Sequence, residues 1–191
     1  RINVETQQKS IITCIESPYF DSFSTSPDGK QAAITIERHL VVIPFNLETL
    51  AGVKTRYDLE NQKDVCLIYT KVAAKGTQWS TDGKKLAVLF QSAKNGTMSD
   101  YIRVMDVSRC KEADPLVRDE FPNRRFVLDG YAANPFLPAY SWDGQQRFIF
   151  NTFKRNEGYG DLYLYDMASG QVSQINPIDG TCCYRDARFS P

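Results

Sequence analysis

The sequence predicts an all-β fold: a β-propeller of four-stranded antiparallel blades, incomplete here, with three full blades and flanking single strands. Three observations lead there. A Ser-x-Asp-Gly turn recurs as Ser26-Pro27-Asp28-Gly29, Ser80-Thr81-Asp82-Gly83 and Ser141-Trp142-Asp143-Gly144, and Phe189-Ser190-Pro191 opens like a fourth. An apolar run follows each complete turn: Ala32-Ala33-Ile34-Thr35-Ile36, Leu86-Ala87-Val88-Leu89-Phe90 and Phe148-Ile149-Phe150. Such runs, lacking strict alternation, suit strands covered on both faces. The aromatic load, 10 Tyr and 11 Phe, also suits strands. Small sheets that cannot bury their own faces must pack on one another, and radial packing is one stable solution.

Each unit is read as strands A to D from the inside outward. In the first, A lies near Phe20–Ser24, B is Gln31–Glu37, C is Leu40–Phe45 and D is near Val65–Tyr69. In the second, A ends at Trp79, B is Lys85–Gln91, C is Tyr101–Asp106 and D is Arg125–Leu128. In the third, A ends at Tyr140, B is Arg147–Phe153, C is Asp161–Asp166 and D is Gln171–Ile175. Ile11–Glu16 is expected to be the D strand of an earlier unit, and Tyr184–Ser190 the A strand of the next. The blades thus span residues 20–69, 76–128 and 137–175, with a further one starting at 184–191, in a single partial domain. Arg1 opens the chain without Met, so it is expected to be part of a longer protein.

The turns have a mechanism. Pro27 presets φ at the first corner, Asp28 bonds nearby backbone, and Gly29 accepts a positive φ. Asp28, Asp82 and Asp143 are therefore expected to close hairpins and not to bind metal. Two long C–D connections, Thr49–Lys63 and Ser108–Asn123, are expected to stand on the same face as these turns; the third unit uses only Ala168-Ser169-Gly170. Helical periodicity is weak throughout.

Phe23-Ser24 with Pro27-Asp28-Gly29-Lys30, then Trp79-Ser80-Thr81-Asp82-Gly83-Lys84-Lys85-Leu86-Ala87, then Tyr140-Ser141-Trp142-Asp143-Gly144 resemble the TolB-like propeller repeat, Trp-Ser-Pro-Asp-Gly-Lys followed by an apolar strand. Asn156 to Asp166 resembles that family's B–C hairpin and C strand. The resemblance covers most of the chain apart from the two long insertions. Thr81 and Trp142 replace the family's Pro. It implies a propeller of six to eight blades, so that further chain or another chain completes the ring, and an extracytoplasmic setting in the periplasm or at the cell surface.

The bulk numbers exclude several classes. Lys plus Arg and Asp plus Glu are both 23, so the basic surplus of a nucleic-acid binder is missing. Hydrophobic content of 42% supports a packed core. No apolar run approaches the ~20 residues of a membrane span. The five cysteines, Cys14, Cys66, Cys110, Cys182 and Cys183, include no Cys-x-x-Cys, and the single His39 is distant from them in sequence. They are expected to be buried and reduced; one disulfide is conceivable, with its pairing open.

No catalytic, cofactor-binding or metal site is expected, and no cofactor. There is no Gly-x-Ser-x-Gly, and His39 begins a strand. Gly158-Tyr159-Gly160 closes a hairpin and is no phosphate loop, and Asp119 and Glu120 lie in a charged loop. Cys182-Cys183 is expected to pack in a loop, and Asn95-Gly96-Thr97 is a chance-level sequon. The D–A loops hold the contact material, Tyr131, Asn134, Pro135, Phe136 and Pro138 in one and Cys182, Cys183 and Tyr184 in the next, with the charged insertions on the opposite face as the competitor. The expected function is a non-catalytic scaffold that holds a protein partner. Two alternatives stand beside it: the gating propeller of a prolyl-oligopeptidase-like serine peptidase, and a propeller that binds a small molecule or sugar in its channel.

Overall fold

A computed structural model describes residues 2–69, 73–94, 97–112, 115, 140–153, 160–175, 184 and 187–190. The first blade is β1 (Phe20–Thr25), β2 (Gln31–Ile36), β3 (His39–Pro44) and β4 (Cys66–Tyr69), in that order. The second contributes β5 (Ala73–Trp79), β6 (Lys85–Lys94) and β7 (Thr97–Asp106); its expected D strand at Arg125–Leu128 lies outside the described residues. The third is β8 (Ser141–Trp142), β9 (Arg147–Phe153), β10 (Gly160–Asp166) and β11 (Gln171–Gln174). Every pairing is antiparallel between consecutive strands, so each sheet is a meander.

Alternation places the two faces of the first and second blades in different cores. On the front of the first blade, Ala32, Ile34, Ile36, Val41 and Ile43 are buried together. On its back, Ala33, Leu40 and Val42 meet Leu86, Val88, Phe90 and Met105 of the second blade. The back of the second, Ala87, Leu89, Ile102 and Val104, meets Tyr140, Trp142, Phe148, Phe150, Tyr163 and Tyr165 of the third. The two seams explain the unbroken apolar B strands: successive residues face successive cores.

The first insertion departs from expectation. It leaves the turn end of the blade, where Phe45 N–H donates to Lys30 O at 2.7 Å. It then lies across the front of the sheet and does not stand on the turn face. Two five-residue helices form it, α1 (Leu47–Ala51) capped by Asn46 and α2 (Arg56–Glu60) opened by a Thr55/Asp58 capping box. Leu50, Val53 and Leu59 are drawn onto the apolar front face, which is the reason for the path. Ile11–Glu16, expected to be a D strand, forms no regular strand among the described residues. Ile12 and Ile15 pack against this same front cluster, Glu16 makes an isolated parallel bridge to Thr55, and Thr13 Oγ1 donates to Val53 O.

Candidate functional site

The Asp-Gly turns are built alike in the first two blades. Ser26 Oγ donates to Asp28 Oδ1 at 2.7 Å, and Gln31 N–H donates to Ser26 Oγ at 2.9 Å. Ser80 Oγ donates to Asp82 Oδ1 at 2.6 Å, and Lys85 N–H donates to Ser80 Oγ at 2.9 Å. Lys30 and Lys84 amides also donate to the two carboxylates. Gly29 and Gly83 hold φ of +68° and +70°, open to glycine.

The third turn differs. The A strand does not end at Tyr140; Ser141 and Trp142 pair with Ile149 and Phe148, and the hairpin closes one stage later, where Asp143 N–H donates to Arg147 O at 3.0 Å. Asp143 Oδ1 then gathers the amides of Gln145, Gln146 and Arg147 at 2.8, 2.9 and 3.0 Å. Trp142 in place of Pro is the local reason. Its ring stacks 6.0 Å from Phe148, which draws the strand past the point where proline would have ended it.

These carboxylates are structural anions. The Ser26 hydroxyl and then the Lys30 amide hold Asp28 below its ordinary value, and Ser80 and the Lys84 amide do the same for Asp82. The hydroxyl and amide of Ser108 lower Asp106, and the amide and hydroxyl of Ser169 lower Asp166. In α2, the amides of Lys54 and Thr55 lower Asp58. A lowered carboxylate contributes stability above its unfolded pKa and loses that contribution as pH falls through the folded one. The unfolding midpoint in urea is therefore expected to be flat from neutrality to about pH 5 and to drop below about pH 4. Asp28→Asn with Asp82→Asn should flatten that acid limb; an unchanged limb would refute the assignment.

Around the first insertion lies a second polar assembly. Arg56 Nε donates to Glu37 Oε2 at 2.8 Å, and Arg56 Nη1 donates to Glu60 Oε1. His39 Nε2 is 3.3 Å from Arg56 Nη1 and 3.9 Å from Glu60 Oε1, and its Nδ1 is 2.9 Å from Glu37 O. Ser17 Oγ donates to Glu37 Oε1 at 2.9 Å. The group pins a two-residue hairpin, Glu37-Arg38, in which both residues have positive φ, 47° and 63°. His39 thus sits at a strand edge as expected, inside a network that fastens the insertion to the blade. Burial opposes the charge of Arg56, but its bonds to Glu60 and Glu37 raise it above its ordinary value, so it stays a fixed cation.

The cysteines correct the sequence reading. Cys66 of β4 and Cys110, just after β7 and a 3₁₀ turn at Val107–Arg109, form a disulfide with Cα atoms 5.7 Å apart, and Cys14 is exposed. The pair joins the outer strand of the first blade to the second blade. Cys182 and Cys183 lie outside the described residues, as do Tyr131, Asn134, Pro135, Phe136, Pro138, Asp119, Glu120 and the Asn95-Gly96 part of the sequon. Of the expected D–A contact residues, Tyr184 is placed, and its carbonyl accepts from Asn151 Nδ2 at 2.6 Å. The expected A strand at Tyr184–Ser190 runs beside the third blade without strand pairing among its described residues. It is held by side chains: Arg188 Nη1 donates to Tyr140 O at 2.8 Å and Phe189 N–H to Ser141 Oγ at 3.2 Å.

No family model matches the chain, and no curated protein matches it in sequence. Solved structures do. The chain is similar to Kuenenia stuttgartiensis hydrazine synthase, at 17% identity and a TM-score of 0.53 over 94% of this chain and 48% of that one. It is similar to Pyrococcus horikoshii acylaminoacyl peptidase, at 13% identity and 0.50, over 82% of this chain and 25% of that one. An uncharacterized protein of Listeria monocytogenes matches at 17% and 0.50, over 84% and 40%. At these identities the likeness is one of fold. The chain spans less than half the length of each, and its three unclosed antiparallel sheets are an incomplete β-propeller. Among the described residues, no helix is long and apolar enough to cross a membrane.

Proposed function

We propose that this propeller is a non-catalytic scaffold that presents its loops to a protein partner, in an extracytoplasmic protein or assembly. The observation that carries the reading is how its chemically capable side chains are engaged. Asp28, Asp82 and Asp143 close turns, and Glu37, His39, Arg56 and Glu60 fasten an insertion. The Cys66–Cys110 bond supports an oxidising compartment, where structural disulfides persist. The TolB-like form of the repeats supports the same setting.

The likeness to the acylaminoacyl peptidase favours a second reading, the gating propeller of a serine peptidase whose nucleophile lies outside residues 1–191. Fold alone does not choose between them. Treating the intact protein with a fluorophosphonate probe, followed by peptide mapping, separates the two. The scaffold reading expects no labelled serine and a stoichiometric partner on purification from the cell envelope. A labelled serine outside residues 1–191 would replace it with the peptidase reading.

A further inference from the structure

Both seams between blades are built the same way. The turn of each blade nests on the turn of the blade before it. A Cβ on Gly83 would lie 3.8 Å from Pro27 Cδ and 3.9 Å from Ser26 Cβ. One on Gly144 would lie 3.0 Å from Thr81 N and 3.1 Å from Ser80 Cα. Inner strands meet beneath the turns: Ser24 and Thr77 share a hydroxyl hydrogen bond of 2.6 Å, and Trp79 Nε1 donates to Ser24 Oγ at 3.1 Å.

Gly29 is the first member of this series, and no described atom lies within 4 Å of where its Cβ would be. On β1, Phe20 and Phe23 pair with Ile36 and Ile34, which places them on the front face, and they are 48% and 47% exposed. Phe23 and Phe45, with ring centroids 5.8 Å apart, wall an apolar groove of about 630 Å³ shared with Ile11, Ile12, Leu47 and Leu50. The rest of the front face is already covered by Leu50, Val53, Leu59, Ile12 and Ile15.

We propose that the Gly29 turn and the front of β1 are the seat for the inner strand of one further Ser-x-Asp-Gly blade carried by the same polypeptide, and that this seat ends at β1. Thr77 occupies in β5 the place Phe23 occupies in β1, each three residues before the Ser of its turn, and Thr77 meets the preceding inner strand at Ser24. Both observed seams join blades that follow each other in one chain. Solved chains of the same fold run to about twice the length of this one. Outside β1, the helices α1 and α2 fill the wedge where sheet would otherwise meet sheet. The ring therefore has one seam unlike the others, narrow at the inner strand and shimmed by the insertion. This holds whichever partner the propeller serves.

The test uses the full-length polypeptide with Cys14→Ser, carrying either Phe23→Cys or Tyr57→Cys, Tyr57 being 64% exposed on α2. Native Phe23→Cys is expected to react with a maleimide about ten-fold more slowly than Tyr57→Cys, read by peptide mass, with equal rates in denaturant. Equal native rates overturn the seat. So does protection of both thiols, which would mean a broad cover, or protection that fades on dilution, which would mean a second copy. Gly29→Asn set against Gly170→Asn gives an independent reading. Both glycines have φ of +68° with open space around them, and Asn tolerates that backbone. Gly29→Asn is expected to lower Tm by about 2–4 °C more than Gly170→Asn; equal losses overturn the proposal.

Discussion

Phe148→Ala is expected to destabilise the protein by about 3–5 kcal/mol, the range for truncating a fully buried aromatic. Phe148 is 0% exposed, in β9, on the front of the third blade. Its ring lies 6.0 Å from Trp142 in a stacked arrangement and 6.0 Å from Tyr140 in a tilted one. Around it the cluster draws Ala87, Leu89, Ile102 and Val104 from the second blade. The lost side chain would open a cavity between two sheets. Each is held on the far side by its own strand pairing, so the walls have little freedom to collapse. The expected loss is a large part of a typical domain's 5–15 kcal/mol. Urea unfolding of the variant should show a lower midpoint with an unchanged slope. A loss under about 1 kcal/mol would mean that the seam does not carry the stability assigned to it here.

The propeller was legible because its signals are local. Ser26-x-Asp28-Gly29 and Ser80-x-Asp82-Gly83 close within six residues, so their hydrogen bonds follow from that short stretch alone. The alternating allocation of β2 and β6 to two cores was legible from unbroken apolar runs. The third turn was not, because its register depends on Trp142 stacking on Phe148 across the hairpin and on Gly144 fitting over Ser80-Thr81 of the preceding blade, a contact between distant residues. The helices α1 and α2 are too short for periodicity to show. Thr55-x-x-Asp58, a capping-box pattern, and Asn46 ahead of Leu47 were the signals that would have found them. The Glu37-Arg38 hairpin carries no Asn-Gly signature, and its positive φ values are sustained by Arg56 and Ser17, which arrive from other segments.

The candidate site follows the same division. Sequence placed the carboxylates in the hairpin turns and His39 at the start of a strand, and the structure has them there. It did not find that His39 belongs with Arg56 and Glu60, since that grouping exists only after the insertion has crossed the sheet. The crossing itself was a consequence of hydrophobic matching between Leu50, Val53 and Leu59 and the front face, which a reading of loop lengths could not reveal.

Loss of the Cys66–Cys110 bond, by Cys66→Ser with Cys110→Ser, is expected to cost about 2–4 kcal/mol. The bond closes a loop of sequence separation 44, and in the chain-entropy account the gain comes from restricting the unfolded chain. It also ties two blades that otherwise meet through side-chain packing and polar contacts such as Ser24–Thr77 and Lys75–Asp21, Cys66 itself being part of that packing with Leu40, Val42 and Met105. The native protein in dithiothreitol should fall to the midpoint of the double variant, and the double variant should not respond to reductant. The response of the native protein to dithiothreitol reads the covalent bond alone; any further drop in the double variant reads the packing of the two side chains, so a coincident midpoint means the bond carries the effect. A peptide map under non-reducing conditions should recover residues 66 and 110 in one linked species. Recovery of Cys66 linked to Cys182 or Cys183, or a midpoint indifferent to reductant, would remove the staple and with it the main structural support for an oxidising compartment.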